Sequence, residues 1–552
     1  MLRRRAVKAS IALPILLTSC RRKLAENSFV VESARDSVSR FGIFEIALRA
    51  EHPVENPFID VAVDAEFTAP DGARIAVPGF YYGGGRWMIR YRPYAPGRWE
   101  YSWKVRADPG SASQGGGHVN CAGGDDAKGR VRQNPSNPMR WVFENGDPYF
   151  PIGIQEGVAA GTRSLAIDGE GPEGPRRDVS IEEYFKIYSD AGFNLFRFSQ
   201  RNSSYALFDD LDHYDEAASI FTDGLLEVVR RNRMRVIFGF FGYYDEWAAG
   251  STRWAREARR IGRTLWGDHE AINQPNDLAT FEKEKRFVRY SIARWGVYAD
   301  FWELLNERSA SDQWTSAMAA YVHSTDPDKK PVSTSWEKPG LPEIDIVAPH
   351  WYESEGEFDS DLRVRQVAGK WKRARKPVIV GEQGNSGMNW DPGSALRMRI
   401  RAWTALFEEL ALVFWNTSWS KAGMNGGRWE PGSSNIYLGP EERGFIRALS
   451  DFTGRLDRDV RIAKISVEGG SAARAYALKS ARLTAAYLHH YGDHHTLLEG
   501  AKVILASPEI PGAVAEWIDP ATGVVIGRHP MPQGTATLDV PGFKVDIALL
   551  IM

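Results

Sequence analysis

Hydrophobic and polar positions follow two different periods along this chain, and the changes of period divide it. Between residues 36 and 108 the period is two. Trp87, Ile89 and Tyr91 alternate with Met88, Arg90 and Arg92, and Trp99, Tyr101, Trp103 and Val105 obey the same rule beyond Pro96-Gly97. Each such run has one apolar face, so the segment predicts antiparallel strands of a β-sandwich, with the two runs joined as a hairpin at Pro96-Gly97. From 109 to 139 a Gly-, Ser- and Asp-rich stretch loses the apolar period, which predicts a linker.

From 140 to 458 short apolar runs alternate with helical patterns. Strands are predicted at 148–154, 194–199, 235–240, 297–305, 331–335, 344–349, 377–380 and 412–414. Helices are predicted at 278–295, 362–375, 395–409 and 441–456, and Ser180-Ile181-Glu182-Glu183 reads as the capping box of another. Eight strand-helix units imply a parallel sheet, closed as a (β/α)8 TIM barrel in the α/β class. A doubly wound open sheet is the alternative, but no Gly-rich phosphate loop follows the first strand. From 459 to 552 the period of two returns, and AEWIDPATGVV gives strand, turn and strand of a second, C-terminal β-sandwich. His489, His490, His494 and His495 flank a turn at Gly492-Asp493. Adjacent histidines on a strand face opposite ways, which predicts a solvated hairpin and no shared metal.

Composition changes this picture little. With 552 residues the chain exceeds one core, and 69 Lys plus Arg against 71 Asp plus Glu gives no general attraction to nucleic acid. The 19 Trp suit stacking on sugar rings as well as sandwich cores. No cofactor is expected. Residues 1–20 combine Arg3-Arg4-Arg5, a short apolar segment and Leu17-Thr18-Ser19-Cys20, the pattern of an export signal too short to span a bilayer. The tetrapeptide resembles the lipobox of bacterial lipoproteins. That implies lipidation at Cys20 and an exported chain, periplasmic or on the cell surface, whose only membrane attachment is the lipid. Cys121 would then have no disulfide partner.

The candidate chemistry lies at strand ends. FWELLNER puts Asn306 and Glu307 at the tip of the fourth barrel strand, and PVIVGEQG puts Glu382 at the tip of the seventh. Tips of barrel strands line the reaction centre of this fold, and two carboxylates flanking one bond are what glycoside hydrolysis needs. The stretch after strand three, 243–277, exceeds the usual loop length and carries Trp247 and Trp266, which predicts a substrate-binding wall.

Here the chain resembles clan A of the retaining glycoside hydrolases, which includes the family 5 cellulases and mannanases. The resemblance implies that Glu307 is the acid/base, Asn306 a donor to the sugar 2-hydroxyl, and Glu382 the nucleophile. It further implies that Arg197 in NLFRFS holds the nucleophile ionised, that His350 and Tyr352 form the strand-six His-x-Tyr, and that Trp415 lies under the reacting sugar. Family 5 members usually carry a His after strand three, where this chain reads FGFFGYYDEW, so the resemblance is to a divergent relative. The stretch VPGFYYGGGRWMIRYRPYAPGRWEYSW resembles a domain of unknown function often fused ahead of bacterial glycoside hydrolase barrels. The function expected is retaining hydrolysis of a poly- or oligosaccharide. The alternatives are a transglycosylase on the same scaffold and a non-catalytic carbohydrate-binding lipoprotein.

Overall fold

The computed structural model describes residues 28–552 apart from 108–110, 125–127, 170–175, 201–202, 243–277, 308–309, 354–355, 386–388, 419–420, 422–423, 426–427, 430–434, 471, 507, 509 and 532–533. The leader with Cys20, and Trp247 and Trp266, lie outside the described residues. No described helix is long and apolar enough to cross a membrane.

The centre is a closed barrel of eight parallel strands. In order they are Ile152–Gln155, Leu195–Ser199, Arg235–Phe241, Phe301–Leu305, Val332–Thr334, a sixth strand in two pieces (Ile346–Val347 and His350–Tyr352), Val378–Gly384 and Leu410–Trp415. Strand one pairs with strand eight, which closes the ring. Strand four begins at Phe301, later than the pattern predicts, because Val297 to Asp300 make the turn out of the helix Leu278–Trp295. The Ser180 hydroxyl accepts from the Glu183 N–H and starts the helix Ile181–Asp190, as the capping box requires.

Period two sorts the barrel interior into layers. Leu195, Ile237, Phe301, Ile346, Ile379, Ala411 and Val413 point inward as an apolar plug, sealed below by Trp141, Phe143 and Tyr149 of a small three-stranded sheet. Two residues further along the same strands stand Arg197, Gly239, Glu303, Ala348 and Gly381, so an ionic layer lies directly above the plug.

Residues 29–122 form an eight-stranded sheet in the order Phe29–Ala34, Phe44–Ala50, Arg86–Tyr91, Arg74–Gly83, Val61–Thr68, Gly97–Ala107, Ser111–Ala122, Ser37–Ser39. Two expectations fail here. The runs Arg86–Tyr91 and Gly97–Ala107 are not a hairpin; two other strands lie between them in the sheet. Pro93 and Pro96 bar a tight two-residue turn, and the rings of Tyr91 and Trp99 instead meet across one shared core, with centroids 5.7 Å apart. Nor is 111–122 a linker. It pairs along its full length with Gly97–Ala107 and buries Cys121. Its glycines serve packing. A Cβ on Gly115 would stand 2.5 Å from the Trp103 ring, and one on Gly117 would stand 2.5 Å from the Tyr101 hydroxyl, so the cross-strand aromatics lie down over bare backbone.

Residues 461–551 form a six-stranded and a three-stranded sheet whose apolar residues, among them Leu488, Trp517, Leu549, Val503 and Leu538, meet in one core. The expected solvated histidine hairpin is also corrected. His489, His490 and His494 are buried, with His489 Nε2 3.1 Å from His494 Nε2 and His489 Nδ1 2.9 Å from Asp361, because this end of the sheet docks on the barrel helix Ser360–Trp371.

Both flanking units are pinned to the barrel through buried ion pairs. Asp223 receives Arg90 of the N-terminal sheet at 2.9 Å and Arg294 of the barrel at 2.7 Å. On the other side Asp361 receives Arg474 at 2.7 Å, and Arg399 meets Asp546 at 2.9 Å.

Candidate active site

Above the ionic layer the strand tips depart from period two, and the departures aim the functional groups. Ile379 belongs to the inward plug and Gly381 faces His350, so a regular strand would turn Glu382 outward. The register slips between Val380 and Gln383, and Glu382 faces the axis instead. At the tip of strand four Glu307 takes a left-handed backbone with φ of 48°, which turns its carboxylate toward strand six. Strands six and eight keep their period. His350 and Tyr352 continue the line of Ile346 and Ala348, and Trp415 continues that of Ala411 and Val413.

Arg197, fully buried, organises the floor. It donates to Glu382 Oε1 at 2.6 Å, to Glu303 Oε2 at 2.7 and 3.0 Å, to Asn306 Oδ1 at 2.5 Å and to the Gln155 side-chain oxygen. Gln155 in turn donates to Glu382 Oε1 at 3.1 Å. Because Arg197 occupies the Asn306 oxygen, the amide nitrogen points away, buried and without a partner among the described residues. It is a donor waiting for an acceptor.

Tyr352 donates its hydroxyl to Glu382 Oε2. His350 Nδ1 lies 2.7 Å from Glu307 Oε1 and 3.4 Å from Glu382 Oε2, between the two carboxylates. The three ligand-type atoms of Glu307, His350 and Glu382 fall within 4.8 Å of one another. A cation could accept that spacing, but the Arg197 charge already stands against Glu382. Ser335 fixes the other face of the imidazole, its Oγ 3.2 Å from His350 Nε2 and 3.2 Å from Glu303 Oε1.

Burial pushes the Glu382 carboxyl up, yet the neighbouring His350 and Arg197 outweigh it and hold its pKa below the usual value. Burial works to lower His350, but the charges of Glu382 and Glu307 prevail and raise it. Tyr352 lies well above its ordinary value, through burial first and then the Glu382 charge, so its hydroxyl keeps its proton and donates.

The structure thus brings Glu307, Glu382, Arg197, Asn306, His350 and Tyr352 into one cluster, with Trp415 half-buried at the adjoining tip. Sequence reasoning passed over Gln155, Glu303 and Ser335. Glu303 left a signal, a lone carboxylate inside an apolar run; Gln155 and Ser335 left none. Beside Gln155, Glu156 points the other way, into the helix layer, where Tyr184 at 2.5 Å and Asn416 at 2.8 Å hold it. Burial pushes its pKa up to about 7.

A family model described as a domain of unknown function, DUF5060, matches residues 37–106. None of the curated proteins matches the sequence. Among solved structures, a candidate glycoside hydrolase from Bacteroides vulgatus is 18% identical, with 94% of this chain and 100% of that one covered and a TM-score of 0.61. A family 39 glycoside hydrolase from Bacteroides cellulosilyticus is 10% identical over 94% of this chain and 100% of that one, with a TM-score of 0.43. A family 5 mannosidase from Rhizomucor miehei is 12% identical over 59% and 97%, with a TM-score of 0.42. At 18% identity, the first of these likenesses shows a common fold.

Proposed function

We propose that this chain is a retaining glycoside hydrolase acting on a poly- or oligosaccharide, a divergent relative of the family 5 enzymes of clan A. The observation that carries the reading is the pair of carboxylates at the tips of strands four and seven, one bound to a buried guanidinium and the other to an imidazole, with oxygens within 4.8 Å. Retaining enzymes hold their two carboxyl groups roughly 5 to 5.5 Å apart, whereas inverting enzymes leave ~6.5 to 9.5 Å for a water.

In this reading Glu382 attacks the anomeric carbon. Arg197, Tyr352 and Gln155 bind its two oxygens, which keeps it ionised and aimed. Glu307 gives its proton to the departing glycosidic oxygen. His350 Nδ1, 2.7 Å from Glu307 Oε1, holds that carboxyl in place, and the other ring nitrogen, Nε2, faces Ser335. Formation of the glycosyl-enzyme removes the Glu382 charge. Glu307, now ionised, takes a proton from water, which attacks the anomeric carbon and releases Glu382. The unpartnered Asn306 nitrogen meets the sugar 2-hydroxyl, and the Trp415 ring lies against the apolar face of the same sugar. A purely binding protein gains nothing from burying Arg197 between two carboxylates, which favours the enzyme over the binder. A transglycosylase would differ only in the acceptor.

The flanking sheets are read as β-sandwich accessory units. Trp247 and Trp266 are read as part of the substrate wall, and Cys20 as a lipid anchor that places the exported chain on a bacterial membrane.

The test separates the glutamates. Glu382→Gln loses turnover on every substrate. Glu307→Gln still forms the glycosyl-enzyme from an activated aryl glycoside, accumulates it, and recovers turnover when azide is added. Mass spectrometry then finds the adduct on Glu382. An adduct on another carboxylate, or variants that behave alike, would refute the assignment.

A further inference from the structure

Trp336 has no part in the chemistry above. It is 54% exposed, and among the residues whose burial is described it is the only exposed aromatic ring. Every other Trp, Tyr and Phe whose burial is described is buried or half-buried, so this indole stands apart among them.

Its position is fixed from both sides. It follows Ser335 directly at the tip of strand five, and the Ser335 N–H donates at 2.9 Å to the carbonyl of Leu305, two residues before Glu307. The Ser335 hydroxyl lies 3.2 Å from both His350 Nε2 and the Ala348 carbonyl, so the backbone entering Trp336 is held between strands four and six. Beyond it, Lys338 meets Asp312 at 2.7 Å, which straps the loop over the helix that follows strand four. Trp336 therefore belongs to the Glu307 side of the barrel mouth, and Trp415, on strand eight, to the Glu382 side.

The chemistry assigns those two sides. The retained sugar becomes attached to Glu382, whereas the departing oxygen leaves toward the acid, Glu307. We propose that Trp336 is the platform on which the leaving-group sugar stacks, so that the preferred leaving group is a pyranose ring and not a small alcohol. A pyranose offers a face of C–H bonds to an indole, and among the residues whose side chains are described no other exposed ring offers a comparable apolar plane. The proposal rests on the glycosidase reading.

Two substrates with the same glycosyl group but different leaving groups test it. A panel of gluco-, manno-, galacto- and xylosyl fluorides, in both anomers, first identifies the glycosyl group that wild type accepts. The kcat/KM for the matching disaccharide and trisaccharide is then divided by that for the fluoride, whose leaving group is one atom and reaches no platform. In Trp336→Ala this ratio falls at least about tenfold, carried by KM, and in Trp336→Phe it recovers to within about threefold of wild type. A ratio unchanged in Trp336→Ala, with the fluoride still hydrolysed, overturns the platform and leaves the glycosidase intact. Wild type that cleaves neither fluorides nor oligosaccharides overturns both.

Discussion

Replacing Arg197 by Met removes the one positive charge that Glu303 and Glu382 share, and the structure sets the size of the effect. With about 4 Å between charge centres and an effective dielectric near 20, each ion pair is worth roughly 4 kcal/mol as an upper limit. The guanidinium is divided between two carboxylates, and His350 also holds Glu382 down, so removing Arg197 raises the Glu382 carboxyl by only part of that. The acid limb of kcat/KM should move to higher pH. Stability should fall by about 3–5 kcal/mol at neutral pH, as when a buried pair is broken. The sign with pH follows from the direction of the shift. In wild type the depressed Glu382 contributes stability above its unfolded pKa and loses it as pH falls through the folded value. In the variant the Glu382 carboxyl lies higher and takes up its proton earlier as pH falls, so the gap in Tm between the proteins should narrow as pH falls. Arg197→Lys should keep the charge but lose the fork, with a smaller shift of the limb. An acid limb that stays put in Arg197→Met, together with a Tm gap independent of pH, would refute the electrostatic role.

Two further predictions concern the flanking regions. Gly115→Ala puts a Cβ 2.5 Å from the buried Trp103 ring and should cost about 1–3 kcal/mol in thermal unfolding of the full chain, whereas a true linker glycine would tolerate it. Cys20→Ala should move the protein from the membrane fraction to the soluble one, because the acyl chains supply the affinity, and unchanged partitioning would end the lipid-anchor proposal.

The barrel was legible because its signal is local. Each strand is an apolar run long enough to recognise, and the helix Leu278–Trp295 coincides with its pattern at both ends. The tips were legible for the same reason, since Glu307 and Glu382 each end such a run. What the pattern could not carry was direction. Period two, extended from Ile379, sends Glu382 away from the axis, and only the slipped register between Val380 and Gln383 brings it back. Gln155 and Ser335 are ordinary polar residues at strand ends, and their importance arises from neighbours 227 positions away in one case and 15 in the other.

The errors in the flanking sheets have one physical origin. Alternation specifies which face of a strand is apolar and says nothing about which strand lies beside it, because partners are chosen by the shape of the whole core. Trp87 and Trp99 each sit on a correct apolar face, yet their strands are separated in the sheet and meet only through the core they share. The glycine run within Ser111–Ala122 carries no apolar side chain and so reads as a linker, but it is the complement of an apolar face. Trp103 and Tyr101 across the ladder need a strand without side chains to lie on, and only glycine supplies it. A glycine-rich stretch that follows an alternating aromatic strand is therefore ambiguous between linker and partner, and the aromatic spacing opposite decides it. Here Tyr101 and Trp103 stand two apart, as do Gly117 and Gly115, so both rings and both bare positions fall on one face of the sheet.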